Sequence, residues 1–357
     1  MLTMREKMLR MLREGCTEEA LFVLYQDIVT PMEEVWKLVG RDRLGILHWA
    51  WAHKLVSRRC SIETARIREG GLDGEVSILT TPAGTLTEKK LYDPVLKSAA
   101  TREHFVKETT DYEILLSYLN DITVELNPEY NEIVRGLGDG GLPLVWLGRT
   151  PFQQMWIQWA SLLDFSLHLA DAPDLVGSVM QRMGCLLMEV VNFVAERVSH
   201  SEISLVDIPD NITAPAIGRS NFETYCMPYY HQIVEIFKPL GISVVAHMDG
   251  DLKPLWPLIG KTGINGIDSF SPPPDNDTAV KDAVALWPQI ALLVNFPSSV
   301  HLMNEQTVYE TAARILEEGM PNGRMWIQVS ENIPPGVWRV SFPQILRAID
   351  DYNAGFR

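Results

Sequence analysis

His247-Met-Asp-Gly250 is the sharpest chemical feature of the sequence: a histidine ending a β-branched run, a carboxylate two residues on, and a glycine to turn the chain. Residues two apart at a strand end face the same side, so His247 and Asp249 can bind one cation or share one proton. The alternative is structural, with His247 bonded to a neighbouring strand and Asp249 capping a helix that starts near Asp251. Other polar residues follow apolar runs in the same way: Asp210 and Asn211 after Ile208, Ser269 after Asp268, Asn295 after Val294, and Ser330 and Glu331 after Val329. Glu331 can serve as a ligand, an acid or a solvent-facing loop residue. Cys226 is a soft ligand if it ionises, although a single cysteine in a helical pattern is more often a small buried hydrophobe. His168, His200 and His231 sit in helical patterns and read as packing or surface residues. Trp146, Trp156, Trp159, Trp256 and Trp338, with Tyr225, Tyr229 and Tyr230, supply either a wall for a ring-shaped ligand or ordinary aromatic core.

The elements that must position these groups are legible in the C-terminal half. Residues 203–208, 242–246, 265–268, 290–294 and 325–329 are short, β-branched and strand-like, and 142–147 is another such run. Helical patterns lie between them. Tyr230, Ile233, Val234 and Phe237 share one face, Val308, Ala312, Ile315 and Leu316 another, and a long helix opens near Asp174. This βα repetition implies parallel strands. A doubly wound sheet is disfavoured, because no glycine-rich dinucleotide loop follows a strand and Gly136-Leu-Gly-Asp-Gly-Gly141 precedes one. The expected fold class is α/β, a (β/α)8 TIM barrel with an N-terminal helical and hairpin extension. That extension spans residues 1–110 and includes a hairpin at 75–91 around Thr81-Pro-Ala-Gly84. The main part of the barrel spans 111–357, with Arg43 to His48 available as a first strand. In such a barrel the reactive groups come from the C-terminal ends of strands, so the residues named above can face one mouth. Ser271-Pro-Pro-Pro274 and Ile333-Pro-Pro-Gly336 follow strand ends on that face, either as a stiff rim or simply as strand terminators.

Composition narrows the function. The 357 residues carry a net charge of −15, with 46% hydrophobic and 22% charged residues, as in an ordinary globular protein. So acidic a chain is poorly suited to neutralising phosphate backbones, and nucleic acid is not an expected partner. Four separated cysteines, Cys16, Cys60, Cys185 and Cys226, suggest neither a disulfide framework nor a zinc finger. The N-terminus reads as an amphipathic helix and no run reaches the length of a membrane span, so a cytoplasmic protein without a membrane partner is expected.

Taken together, Phe222-Glu-Thr-Tyr-Cys-Met-Pro-Tyr-Tyr230, Gly241-Ile-Ser-Val-Val-Ala-His-Met-Asp-Gly250, Gly263-Ile-Asn-Gly-Ile-Asp268 and Ile333-Pro-Pro335 resemble the uroporphyrinogen decarboxylase superfamily over roughly residues 110 to 355. The likeness is greatest to its corrinoid-dependent methyltransferase branch. The resemblance implies a (β/α)8 barrel and a zinc ion in its mouth. It also implies a methyl group passing to or from the cobalt of cobalamin or another corrinoid on a partner protein. In the coenzyme M enzymes of that branch, the zinc ligands are a His-x-Cys pair and a later Cys. Here His247 matches the histidine, Asp249 takes the place of the first thiol, and Glu331 falls near the second. Soft ligands are thus replaced by carboxylates, which argues against a thiolate substrate. The O-demethylating group carries two acidic ligands ahead of its histidine, and Cys226 and Asn211 stand at that spacing, with Asp210 beside the latter. The Arg-rich, Gly-containing segment by which the decarboxylase itself holds substrate carboxylates has no counterpart; Arg41-Asp-Arg43 and Arg58-Arg59 are the nearest basic clusters.

The resulting expectation is a methyltransferase that moves a methyl group from a small methoxylated aromatic donor to a corrinoid protein. His247, Asp210 and Glu331 are its candidate catalytic residues. His247, Cys226, Asp249 and Glu331 are the candidate metal ligands, and Asn211, Asn295, Tyr225 and Trp146 the candidate substrate contacts. A homodimer is compatible with this reading. The alternatives are a cofactor-independent decarboxylase and a non-catalytic binding barrel.

Overall fold

The computed structural model describes residues 2–15, 19–29, 31–95, 98–198 and 202–355, so Cys16 and His200 lie outside the described residues. The described chain contains fourteen strands: β1 Phe22–Tyr25, β2 Leu44–Ala50, β3 His53–Ser57, β4 Ser61–Glu69, β5 Leu72–Thr81, β6 Gly84–Tyr92, β7 Ala99–Glu103, β8 Ile122–Leu126, β9 Gly141–Trp146, β10 Leu205–Ile208, β11 Ser243–His247, β12 Gly266–Phe270, β13 Ala291–Asn295 and β14 Met325–Val329. Two compact units result, one of residues 1–52, 128–147 and 195–357, the other of 53–127 and 148–194.

The first unit holds a closed barrel of eight parallel strands, in the cyclic order β1, β2, β9, β10, β11, β12, β13, β14. Together with its surrounding helices this is a (β/α)8 barrel, and each of the six strands read from the C-terminal half is present within a residue or two. The first barrel strand is Phe22–Tyr25, which makes Leu44–Ala50 the second and places residues 1–52 with the barrel. A four-residue strand that is buried throughout has no alternation to read.

Alternate residues of each strand point inward, and their character changes along the barrel axis. Val23, Leu47, Leu144, Leu205, Val245, Leu293 and Trp326 lie in one interior apolar cluster. Two residues on, each strand presents Tyr25, Trp49, Trp146, Asp207, His247, Asn295 and Gln328, with Asp268 following Gly266. The interior is therefore apolar below and polar at the C-terminal end. Its other end is closed by the helix Met4–Glu14, which starts at a Thr3–Glu6 capping box and adds Met8, Met11 and Leu12 to the cluster. Gly45 makes room for this helix, since a Cβ there would stand 2.9 Å from Met8 Sδ.

In the second unit β3 pairs with β8, and β4 to β7 form an antiparallel four-stranded sheet. The hairpin expected at 75–91 is the β5–β6 pair, slightly longer and joined by the two-residue turn Pro82-Ala83 between paired Thr81 and Gly84. Among the described residues, no helix is long and apolar enough to cross a membrane.

Candidate active site

Parallel pairing of β11 with β12 sets His247 beside Asp268. Both side chains face inward, and the His247 Nδ1 lies 3.2 Å from Asp268 Oδ2. The opposite ring nitrogen, Nε2, faces Asp249 Oδ2 at 3.7 Å and Glu331 Oε1 at 3.5 Å. His247, Asp249 and Glu331 thus offer one nitrogen and two carboxylate oxygens that lie within 4.8 Å of one another. Two loops from different strand ends, after β11 and after β14, are needed to assemble this group.

Each member is tied down by a neighbour. Asn211 Nδ2 donates to Asp249 Oδ2 at 3.2 Å, and Ser269 Oγ donates to Glu331 Oε1 at 3.0 Å. Asp268 is fully buried; its Oδ2 also accepts from the Tyr25 hydroxyl, and its Oδ1 accepts from Gln328 Nε2 at 3.0 Å. Gln328 in turn accepts from the Trp326 indole at 2.8 Å. Burial pulls the His247 imidazole towards its neutral form. Hydrogen bonds to Asp249, Asp268 and Glu331 outweigh that effect and hold its pKa well above the ordinary value. Burial likewise pushes the Asp249 carboxyl up, but the hydrogen bond and charge of His247 bring it below its usual range. The negative field that keeps a proton on this ring would equally attract a cation, so the two compete for Nε2.

The remaining expected residues fall in different places. Asp210 is buried and accepts from the Tyr230 hydroxyl at 2.7 Å, outside the three-residue cluster. Cys226 is also outside it, buried in the π-helical turn Phe222–Cys226 that leads into the helix Met227–Phe237. Asn295 commits its amide to the strand-end serines, accepting from the Ser330 backbone at 3.0 Å and donating to Ser271 Oγ at 3.2 Å, and so anchors the loop that bears Glu331. Tyr225 sits half-buried on the same turn as Cys226. Trp146 joins a row of rings, 5.1 Å from Trp49 and 5.3 Å from Trp51, with Tyr25 5.2 Å beyond Trp49. Trp256 donates to Thr278, Trp338 is buried against Phe342, and Trp156 and Trp159 belong to the second unit. His231 and His168 have structural partners, Lys261 O and the Tyr112 hydroxyl.

Sequence reasoning missed Tyr25, Asp268 and Gln328. Period two from the apolar interior was the available signal: Asp268 and Gln328 continue inward-facing positions at strand ends, as His247 does.

Residues 164–338, just under half of the chain, match the model of the uroporphyrinogen decarboxylase (URO-D) family. The match supports a place in the URO-D superfamily. It includes His247, Asp249, Asp268 and Glu331. No curated protein matches the chain significantly. Among solved structures, a methyltransferase from Methanosarcina mazei is similar at 12% identity and a TM-score of 0.56, covering 99% of both chains. A B12-independent methionine synthase from Shewanella sp. W3-18-1, in complex with selenomethionine, follows at 9% identity and a TM-score of 0.48, covering 75% of each chain. At such identities the first likeness speaks for the fold.

Proposed function

We propose that the protein is a methyltransferase that takes a methyl group from the oxygen of a small aromatic donor and passes it to a corrinoid on a partner protein. The observation that carries this reading is the convergence of His247, Asp249 and Glu331 at the barrel's C-terminal end. The donor set fits a divalent cation, because one imidazole and two carboxylates suit zinc or a harder ion, while the absence of thiolate from the cluster disfavours a soft substrate. His247, Asp249 and Glu331 would hold that ion, which when bound supplies Lewis-acid polarisation of the donor oxygen. The chain's own residues do the rest. Asp268 would fix the His247 ring through Nδ1, and the Trp49 and Trp146 rings, tilted 37° to one another, offer aromatic surface for a ring-shaped donor. As the C–O bond breaks, the methyl carbon leaves for the acceptor and the donor oxygen keeps the electron pair. A ring that delocalises this charge makes the oxygen a better leaving group, which favours an aryl donor.

The family match favours a second reading, a decarboxylase acting on a polycarboxylate. Three carboxylates grouped around one histidine, Asp249, Asp268 and Glu331, speak against it, since the site stays negative even with His247 charged. The two readings separate in one assay. Purified protein is mixed with reduced corrinoid protein and a panel of methoxy, methylamino and methylthio donors, and the cobalt absorbance is followed. Conversion with a methoxyaryl donor is expected. No conversion, together with carbon dioxide release from a porphyrinogen, would establish the decarboxylase, and neither activity would leave a binding barrel.

A further inference from the structure

We infer that Asp268, Asn211 and Ser269 are positioning residues that preset the three candidate ligands for a divalent cation, one positioner to each ligand. The inference rests on the cation site proposed above. Asp268 contacts His247 Nδ1, Asn211 donates to Asp249, and Ser269 donates to Glu331, at 3.2, 3.2 and 3.0 Å. Both oxygens of Asp268 already accept, from Tyr25 and from Gln328. The ring nitrogen facing them must therefore carry the hydrogen, which leaves Nε2, the atom facing Asp249 and Glu331, with the lone pair in the neutral ring. Gln328 cannot flip its amide, because its Oε1 accepts from Trp326, whose indole only donates.

A second, independent observation concerns the backbone. Asn211 and Ser269 have φ of 52° and 57°, and with Asp27 they are the non-glycine residues of the described chain at positive φ. That conformation costs most side-chain-bearing residues energy, serine more than asparagine, and is open to glycine. Two of these three positions lie against the two carboxylates of one cluster, each donating a side-chain hydrogen bond to it. Strain at such places is kept when the side chain has a task.

The same backbone suits a glycine test, because glycine adopts the conformation freely while removing the donor; at Ser269 it also removes the hydrogen bond to the Ser330 hydroxyl. Binding of Zn2+ and Co2+ to the full chain is measured by calorimetry, with the Co2+ visible spectrum as a report on ligand geometry. Asn211→Gly and Ser269→Gly should each weaken binding about 10–100-fold and change the Co2+ spectrum, with thermal unfolding of the apoprotein little altered. Asp268→Asn, which can offer its own N–H to Nδ1 and so place the ring hydrogen on Nε2, should weaken binding at least as much. If wild-type protein binds the ion through His247 and both glycine variants bind it equally well with an unchanged spectrum, the positioning role is wrong while the site stands. Failure of wild-type protein to bind either ion, or binding that survives His247→Ala unchanged, overturns the cation site and this inference together.

Discussion

At the scale of single residues, neighbours that look alike in sequence occupy distinct places around one imidazole. In the proposed site His247, Asp249 and Glu331 would offer their atoms to a cation, whereas Asp268, one strand over, contacts the other nitrogen of the histidine ring and would orient it. His247→Ala is expected to lower zinc affinity at least about 100-fold, beyond the typical loss from an outer partner, and Glu331→Gln should lower it less. Elemental analysis after dialysis reads both; stoichiometric zinc in His247→Ala would remove His247 from the site. Tyr25→Phe tests the other end of the network. A hydrogen bond to a buried carboxylate contributes about 1.5–3 kcal/mol, so urea denaturation should show a loss of that size. A loss near zero would mean that the Tyr25 hydroxyl does not anchor Asp268. His247 and Asp249 were legible because they adjoin in sequence, and Glu331 because it follows a strand. Tyr25 was not, because its partner Asp268 stands 243 residues away and only closure of the barrel joins them.

At the scale of elements, legibility followed composition. The strands from Gly141 onward are β-branched runs separated by helical periodicity, and they could be read with their order. β1 escaped, being four buried residues with no alternation, as did β3, β4 and β7, whose exposed or polar faces carry no buried stripe. Element docking also makes a prediction about acid. His301, in the 3-10 turn Ser298–Leu302, sets its Nδ1 2.7 Å from Ser341 Oγ on the helix Trp338–Gly355, while its Nε2 is buried with no partner among the described residues. Burial lowers its pKa from 6.5 to about 3. The folded protein therefore refuses a proton that the unfolded chain accepts, so the stability it contributes is full above pH 6.5 and is lost as the pH falls towards 3. Between pH 7.5 and 5 the loss is about 2 kcal/mol. His301→Asn, which keeps a donor for Ser341, should lose about that much less over the same interval in urea titrations. Parallel pH profiles for the two proteins would contradict the assignment.

At the scale of the whole molecule, a net charge of −15 and a barrel end that gathers carboxylates around one histidine point the same way, towards a cation and away from a polyanionic substrate. The barrel itself follows from the alternation of strands and helices. What the alternation could not give is the division of the first 127 residues, where residues 1–52 complete the barrel with its first two strands and the plugging helix, and 53–127 belong to the second unit. The proposed function stands on a cation site at the C-terminal end of this barrel, built by His247, Asp249 and Glu331. Crystals of the zinc-loaded protein, with diffraction collected on both sides of the zinc absorption edge, test it most directly. One strong anomalous peak is expected about 2.0–2.2 Å from His247 Nε2 and from an oxygen of each carboxylate. Stoichiometric zinc whose peak lies away from His247 would contradict it.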